Sequence, residues 1–263
     1  MQKRHADRHQ YFNEQDISTR KFVMPYILDV KILTPNTSKK YRVLEIGCGE
    51  GGNLKPFLES GHECWGVELT KGSYDNAIKF YAESALKENL HLLNKDIYDV
   101  SSNDLNGTFD IIFLKDVIEH IPNQEKFMKH LKQFLAPGGV AFFAFPPWRM
   151  PFGGHQQVCQ SKFVSHCPYI HLIPKAFLKL FRVPNDDINF MDEVKKTGLS
   201  IRRFDKILEE ENYKLLKKTH WLINPNYETK FGLKPRRLPE IFQIPFVKDF
   251  YTSAMYYLVT KAE

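Results

Sequence analysis

Val43-Leu44-Glu45-Ile46-Gly47-Cys48-Gly49-Glu50-Gly51-Gly52 is the stretch on which the reading of this chain turns. A β-rich run enters a glycine cluster, and Leu54, Phe57 and Leu58 then mark a short helix that stops at Gly61. Glycines at 47, 49 and 51 permit a tight turn and close backbone approach, while the helix that follows offers free N–H groups at its start. A nucleotide-like ligand is expected at such a strand, loop and helix junction.

Working outward, the chain alternates strands and helices from residue 41, the pattern of a parallel sheet covered by helices. Arg42 to Ile46, Cys64 to Leu69, Leu90 to Leu93, Phe109 to Leu114 and Val140 to Phe145 read as the first five strands. Tyr74, Ala77, Ile78, Tyr81, Ala82 and Ala85 share one helical face, and Phe127, Met128, Leu131, Phe134 and Leu135 mark a later helix ended by Pro137-Gly138-Gly139. Residues 146–196 break the rhythm with prolines and no long periodic segment, and read as a cap inserted after strand 5. A helix from Ser200 to Glu211 and strands near Tyr213 to Ile223 and Ala254 to Thr260 follow, with an irregular Pro- and Arg-rich stretch between the two strands. Residues 1–36 read as an N-terminal helical arm and 37–263 as the main domain. The expected class is α/β, a Rossmann-like doubly wound sheet.

The loop also satisfies GxGxxG through Gly47, Gly49 and Gly52, so spacing alone admits a nicotinamide or flavin dinucleotide. Glu45 favours S-adenosyl-L-methionine, because a carboxylate inside the strand can meet that ligand's ammonium group, whereas a pyrophosphate would be repelled by Glu45 and Glu50. Glu68, at the end of the second strand, is placed to accept from ribose hydroxyls with either cofactor. Asp96, just past the third strand, is placed to accept from an adenine amino group, with Ile97 beside it to cover the ring.

Glu45-Ile46-Gly47-Cys48-Gly49-Glu50-Gly51, Gly66-Val67-Glu68-Leu69, Asp96-Ile97 and Phe109-Asp110-Ile111-Ile112 running into Asp116-Val117-Ile118-Glu119-His120-Ile121-Pro122 together resemble the class I S-adenosylmethionine-dependent methyltransferases. The last run, with Leu135-Ala136-Pro137-Gly138-Gly139, is similar to the branch that includes the ubiquinone-biosynthesis O-methyltransferases. The resemblance covers roughly residues 38–146. It implies a seven-stranded sheet with an antiparallel final strand, a cofactor site including Cys48 and Leu69, and backbone near Lys115 and Asp116 beside the methionine part of the cofactor. The arm could close over that site through Tyr11, Phe12 or Arg20, although an ordinary packing helix explains each of them as well.

Methyl transfer to a hydroxyl calls for a base, and histidine is matched to neutral pH. His120, His155, His166 and His171 are the candidates, with His120 and His155 put forward as catalytic. Trp148, Phe152 and Tyr169 could stack on a sugar or ring in the cap. The acceptor is expected to be a small-molecule, saccharide or lipid-linked group methylated on oxygen, with nitrogen as the second choice. A noncatalytic cofactor-binding regulator and an RNA methyltransferase are the alternatives, and a nicotinamide dehydrogenase ranks after them. Zinc on Cys159, His166, Cys167 and His171 is disfavoured because adjacent His166 and Cys167 cannot form paired ligand knuckles, so no metal is expected. Phe145-Pro146-Pro147-Trp148 is only superficially similar to the tetrapeptide of nucleic-acid amino methyltransferases, since phenylalanine cannot accept from a target amine.

Composition sets the outer bounds. With 263 residues, 43% hydrophobic and 26% charged, the chain is an ordinary globular protein. The net charge of +6 arises from 37 basic and 31 acidic residues, too small an excess to argue for nucleic acid. Basic pairs such as Arg202-Arg203 and Arg236-Arg237 leave peripheral membrane contact open, while no apolar run is long enough to span a bilayer. Four cysteines without a CxxC pair, and no secretory layout at the N-terminus, fit a cytoplasmic setting.

Overall fold

The structure, a computed structural model, describes residues 7–30 and 39–262. Its eight strands are β1 (Arg42–Ile46), β2 (Glu63–Val67), β3 (Leu90–Leu93), β4 (Phe109–Lys115), β5 (Leu135–Phe145), β6 (Tyr213–Ile223), β7 (Arg236–Arg237) and β8 (Ala254–Lys261). They form one sheet in the order β3-β2-β1-β4-β5-β8-β6-β7. The first five strands pair in parallel, and β8 lies antiparallel between β5 and β6. After β3 the chain returns to place β4 beside β1, so strand order reverses there and a crevice opens at the carboxyl ends of the strands.

Helices flank the sheet: α1 (Arg8–Ser18), α2 (Met24–Leu28), α3 (Lys55–Glu59), α4 (Lys71–Tyr81), α5 (Gln124–Leu131), α6 (Lys162–His166), α7 (Lys175–Leu180), α8 (Asn185–Thr197), α9 (Ile201–Glu210), α10 (Asn226–Phe231) and α11 (Val247–Tyr251). The apolar run of β4 exists because both faces of that strand are covered. Ile112 and Leu114 face a core shared with Leu44, Phe143, Phe204 and Tyr257, while Ile111 and Phe113 face a second core with Val43, Phe142 and Tyr256. The second core also takes Val23, Tyr26 and Ile27 from the N-terminal helices. The arm is therefore part of the sheet's covering layer. Its end at residue 36 falls outside the described residues.

Several boundaries differ from those expected. The strand beyond the expected seven is β7, a two-residue edge paired to Trp221 and Ile223 and too short to leave a period in the sequence. β5 starts at Leu135, because Leu135 pairs with Phe109 before Pro137-Gly138-Gly139 bulges out and pairing resumes at Val140 with Ile111. A Cβ on Gly139 would lie 2.7 Å from the Phe109 carbonyl oxygen, so the bulge needs glycine there. On α4 only Ala77 and Tyr81 are buried, and Ile78 is exposed. The cap contains α6, α7 and the 13-residue α8 around its own apolar cluster of Val164, Ile170, Leu178, Val183, Ile188 and Met191.

Candidate functional site

The glycine loop adopts the left-handed backbone that its composition permits, with φ of +71° at Gly47, +54° at Gly49 and +80° at Gly51. Gly47 also has no room for a side chain, because a Cβ there would sit 2.6 Å from Val117. Gly52 meets the arm. A Cβ on it would lie 2.5 Å from the Phe12 carbonyl oxygen and 2.9 Å from Gln15.

Glu68 holds the loop from the next strand. It accepts from the Gly49 N–H at 2.9 Å through one carboxylate oxygen and from the Thr70 N–H at 2.7 Å through the other. Asp96 accepts from the Tyr98 N–H at 2.9 Å through Oδ1. Both acids line a cavity of about 330 Å³ with Gly47, Leu69, Ile97, Asp116, Val117 and His120. Leu69 is 68% exposed, an apolar side chain at the rim with no apolar cover. Cys48 turns away from this cavity into the core, where its Sγ would meet a Cβ on Gly66 at 2.6 Å.

Glu45 lies behind the loop, fully buried on the face of β1 that the arm covers. Its Oε1 accepts from Asn53 Nδ2 at 2.7 Å. Burial pushes its carboxyl well above the usual carboxylate range, partly offset by Asn53 and by nearby Lys115. Asn53 Oδ1 in turn accepts from Thr19 Oγ1 at 2.7 Å and from Lys115 Nζ at 3.1 Å. Thr19 opens the single π turn, Thr19–Val23, between α1 and α2. Burial lowers the Lys115 ammonium to about 8. Lys115, Asn53, Ser18, Gln15 and Tyr11 surround a narrow cleft that reaches Asp116.

The charges expected to flank the loop are thus disposed otherwise. Glu50 is buried and ion-paired to Arg8 of α1, and Glu45 is desolvated beneath the arm, so the repulsion argument against a pyrophosphate loses its force. Sequence could not show this, because Arg8 and the covering helices come from outside the loop.

A larger cavity of about 630 Å³ lies on the other side of Asp116 and His120. The cap supplies Met150, Phe152, His155 and Val158, and the segment after β6 supplies Asn224, Asn226, Tyr227 and Phe231. Asp116 sits at the junction with a left-handed φ of +57°, its N–H donating to Ala144 O at 2.8 Å and its Oδ2 accepting from Asn226 Nδ2 at 3.3 Å. The His120 and His155 rings meet edge to face with centroids 5.0 Å apart. Burial lowers both imidazoles, His155 to about 4 with His120 adding to the effect, so both are neutral near pH 7.

The other candidates lie elsewhere. His166 faces solvent against Lys162 O, and His171 packs on Trp148 with Nε2 2.8 Å from the Trp148 carbonyl. Of the cap aromatics only Phe152 lines the larger cavity, since Trp148 packs on Gly198 and the Tyr169 hydroxyl donates to Phe250 O at 2.9 Å. Tyr11 reaches both the narrow cleft and the larger cavity, whereas Phe12 packs on Phe80 and Tyr81 and Arg20 pairs with Asp16 and Glu59. Sequence reasoning missed Glu119, Asn53 and the α10 residues. Glu119 lies within a run already read and Asn53 directly follows the glycine loop, whereas only the fold brings Asn226 and the rest of α10 to the site.

A family model described as a methyltransferase domain matches residues 8–185. The chain belongs to the methyltransferase domain family. The chain is 26% identical over 121 residues to the ubiquinone biosynthesis O-methyltransferase of Rickettsia canadensis (strain McKiel), covering 46% of this chain and 49% of that protein. It is 33% identical over 100 residues to the chloroplastic tocopherol O-methyltransferase of Arabidopsis thaliana, covering 37% of this chain and 28% of the relative. The chain therefore spans about half or less of the length of these curated relatives. Among solved structures, the glycopeptide N-methyltransferase MtfA complexed with sinefungin superposes with a TM-score of 0.55 at 14% identity, over 95% of this chain and 87% of that one. An S-adenosylmethionine-dependent methyltransferase from Clostridium acetobutylicum gives 0.58 at 14% identity, over 94% and 92%. These likenesses establish the class I fold.

Proposed function

We propose that the chain binds S-adenosyl-L-methionine in the 330 Å³ cavity and methylates an oxygen of a small, partly apolar acceptor held in the 630 Å³ cavity. The observation that carries this reading is that the two cavities share Asp116 and His120, so ligands in them would meet at one point. The residues fit the cofactor. Glu68 would accept from the ribose hydroxyls, Asp96 Oδ2 from an adenine amino group, Ile97 and Leu69 would cover the ring, and the Lys115 cleft would take a methionyl carboxylate. The O-methyltransferase relatives favour oxygen as the acceptor atom.

The cofactor would supply a methyl group on a sulfonium, transferred by in-line displacement. The protein's part is to align the acceptor, exclude water and accept a proton. A neutral imidazole at His120 or His155 can take the hydroxyl proton as the oxygen–methyl bond forms and the methyl–sulfur bond breaks. Calorimetric titration with S-adenosylmethionine, S-adenosylhomocysteine and NAD tests the reading. Micromolar binding of the first two is expected, with Glu68→Ala weakening it by about 10-fold or more through the lost charge-assisted bonds. A preference for NAD would overturn it.

A further inference from the structure

Lys115 and Asp116 are neighbours in sequence, yet their side chains serve different spaces. Lys115 borders the narrow cleft beneath the arm, and Asp116 stands where the two larger cavities meet. A chain of hydrogen bonds through two other elements rejoins them. Lys115 Nζ donates to Ser18 Oγ at 3.3 Å, the Ser18 hydroxyl donates to Asn226 Oδ1, and Asn226 Nδ2 donates to Asp116 Oδ2 at 3.3 Å. An ammonium can only donate and a carboxylate can only accept, so the two ends orient the Ser18 hydroxyl and the Asn226 amide between them. Links that all run from a cation to an anion polarise one another in the same sense. Ser18 and Asn226 are 2% and 7% exposed, which keeps water from competing for these bonds.

Asn226 opens α10, and α10 walls both spaces. Thr229 and Lys230 border the narrow cleft, while Tyr227, Lys230 and Phe231 border the larger cavity. With six residues α10 is too short to hold its own conformation, so its place is set from outside. Asn224 Oδ1 accepts from the Asn226 N–H at 2.9 Å, and Glu228 pairs with Lys21 of the arm. Asp116 needs a restraint as well, because a non-glycine residue keeps a left-handed backbone only when its surroundings impose it. Asn226 is the one side chain that bonds to both the arm and Asp116.

We infer that Asn226 is a positioning residue that couples the two ligand sites: a cofactor carboxylate in the Lys115 cleft fixes Ser18, and Ser18 acts through Asn226 to fix Asp116 and α10. The larger cavity then gains its α10 wall once the cofactor is bound. The inference rests on the proposed placement of the methionyl carboxylate beside Lys115. With the cleft empty, burial leaves the ammonium that heads the chain close to losing its proton, at about 8. A carboxylate beside it holds the charged form and with it the polarity of the whole chain. Coupling of this kind is reciprocal, so what the cofactor contributes to fixing α10 returns as cofactor affinity.

Amide exchange at pH 7 across residues 226–233, with and without saturating S-adenosylhomocysteine, tests the coupling. The N–H groups of Tyr227, Gly232 and Leu233, which donate to Asn224 O, Glu228 O and Tyr227 O, report on α10. The ligand should slow their exchange by about tenfold in the wild type. Ser18→Ala removes only a hydroxyl, and the near-isosteric Asn226→Asp keeps the acceptor for Ser18 but loses the donor to Asp116. Each should abolish most of the slowing and weaken S-adenosylhomocysteine by about the factor of protection lost. A merely structural role would speed exchange equally with and without ligand and leave their ratio at the wild-type value, which overturns the inference. Ligand binding to the wild type with no change in α10 exchange overturns it as well. No calorimetric binding of S-adenosylhomocysteine would instead sink the cofactor placement, and the coupling with it.

Discussion

Lys115 shows how one side chain couples the site to pH. Enclosed by Asn53, Ser18 and the arm, its ammonium is lowered to about 8, so in the free protein it sheds its proton just above neutrality. A carboxylate placed beside it favours the charged form and raises that value. S-adenosylhomocysteine binding should therefore take up protons between about pH 8 and 9, and affinity should fall as pH rises through that window. Calorimetry in buffers of different ionisation enthalpy reads the uptake directly, and Lys115→Met should abolish it. Identical heats in all buffers would place the carboxylate elsewhere. The sequence marked Lys115 only by resemblance, and the partners that lower its pKa come from chain segments far from it.

Among elements, α1 packs closely on the glycine loop. Gly52 belongs to a dinucleotide-type spacing, but in the structure its missing side chain makes room for the Phe12 carbonyl and Gln15. Gly52→Val should push α1 away, with a stability cost of about 1–3 kcal/mol and at least tenfold weaker cofactor binding. Proteolytic cleavage within residues 8–28 should become faster, and unchanged protection with unchanged affinity would refute the contact's importance. Elements marked by a compact β-rich run between turn residues were legible: β1, β3 and β6 have the bounds their sequence suggests. α8 was not, because its buried face carries Asp187 beside Ile188 and Met191. That aspartate accepts from the Gln160 and Ser161 N–H groups at 2.9 and 3.0 Å, a tertiary role that hides the apolar stripe.

At the scale of the whole molecule, the cap is packed around its own cluster, apart from the two cores of the sheet. Ile188→Ala should cost about 2–5 kcal/mol within that cluster, with faster amide exchange across residues 160–197 and unchanged S-adenosylhomocysteine affinity. Exchange that rises equally in β1 and β4 would show instead that cap and sheet unfold as one unit. Among the described residues no helix is long and apolar enough to cross a membrane. By itself the sequence determined the alternating sheet, the position of the glycine loop and the two acids that follow it, because each depends on neighbours a few residues away. Only the tertiary structure decided that the arm neutralises Glu50 and buries Glu45, that α10 walls the larger cavity, and that His155 meets His120 and Glu119. Those outcomes depend on which distant segments share a surface, and local periodicity carries no record of that.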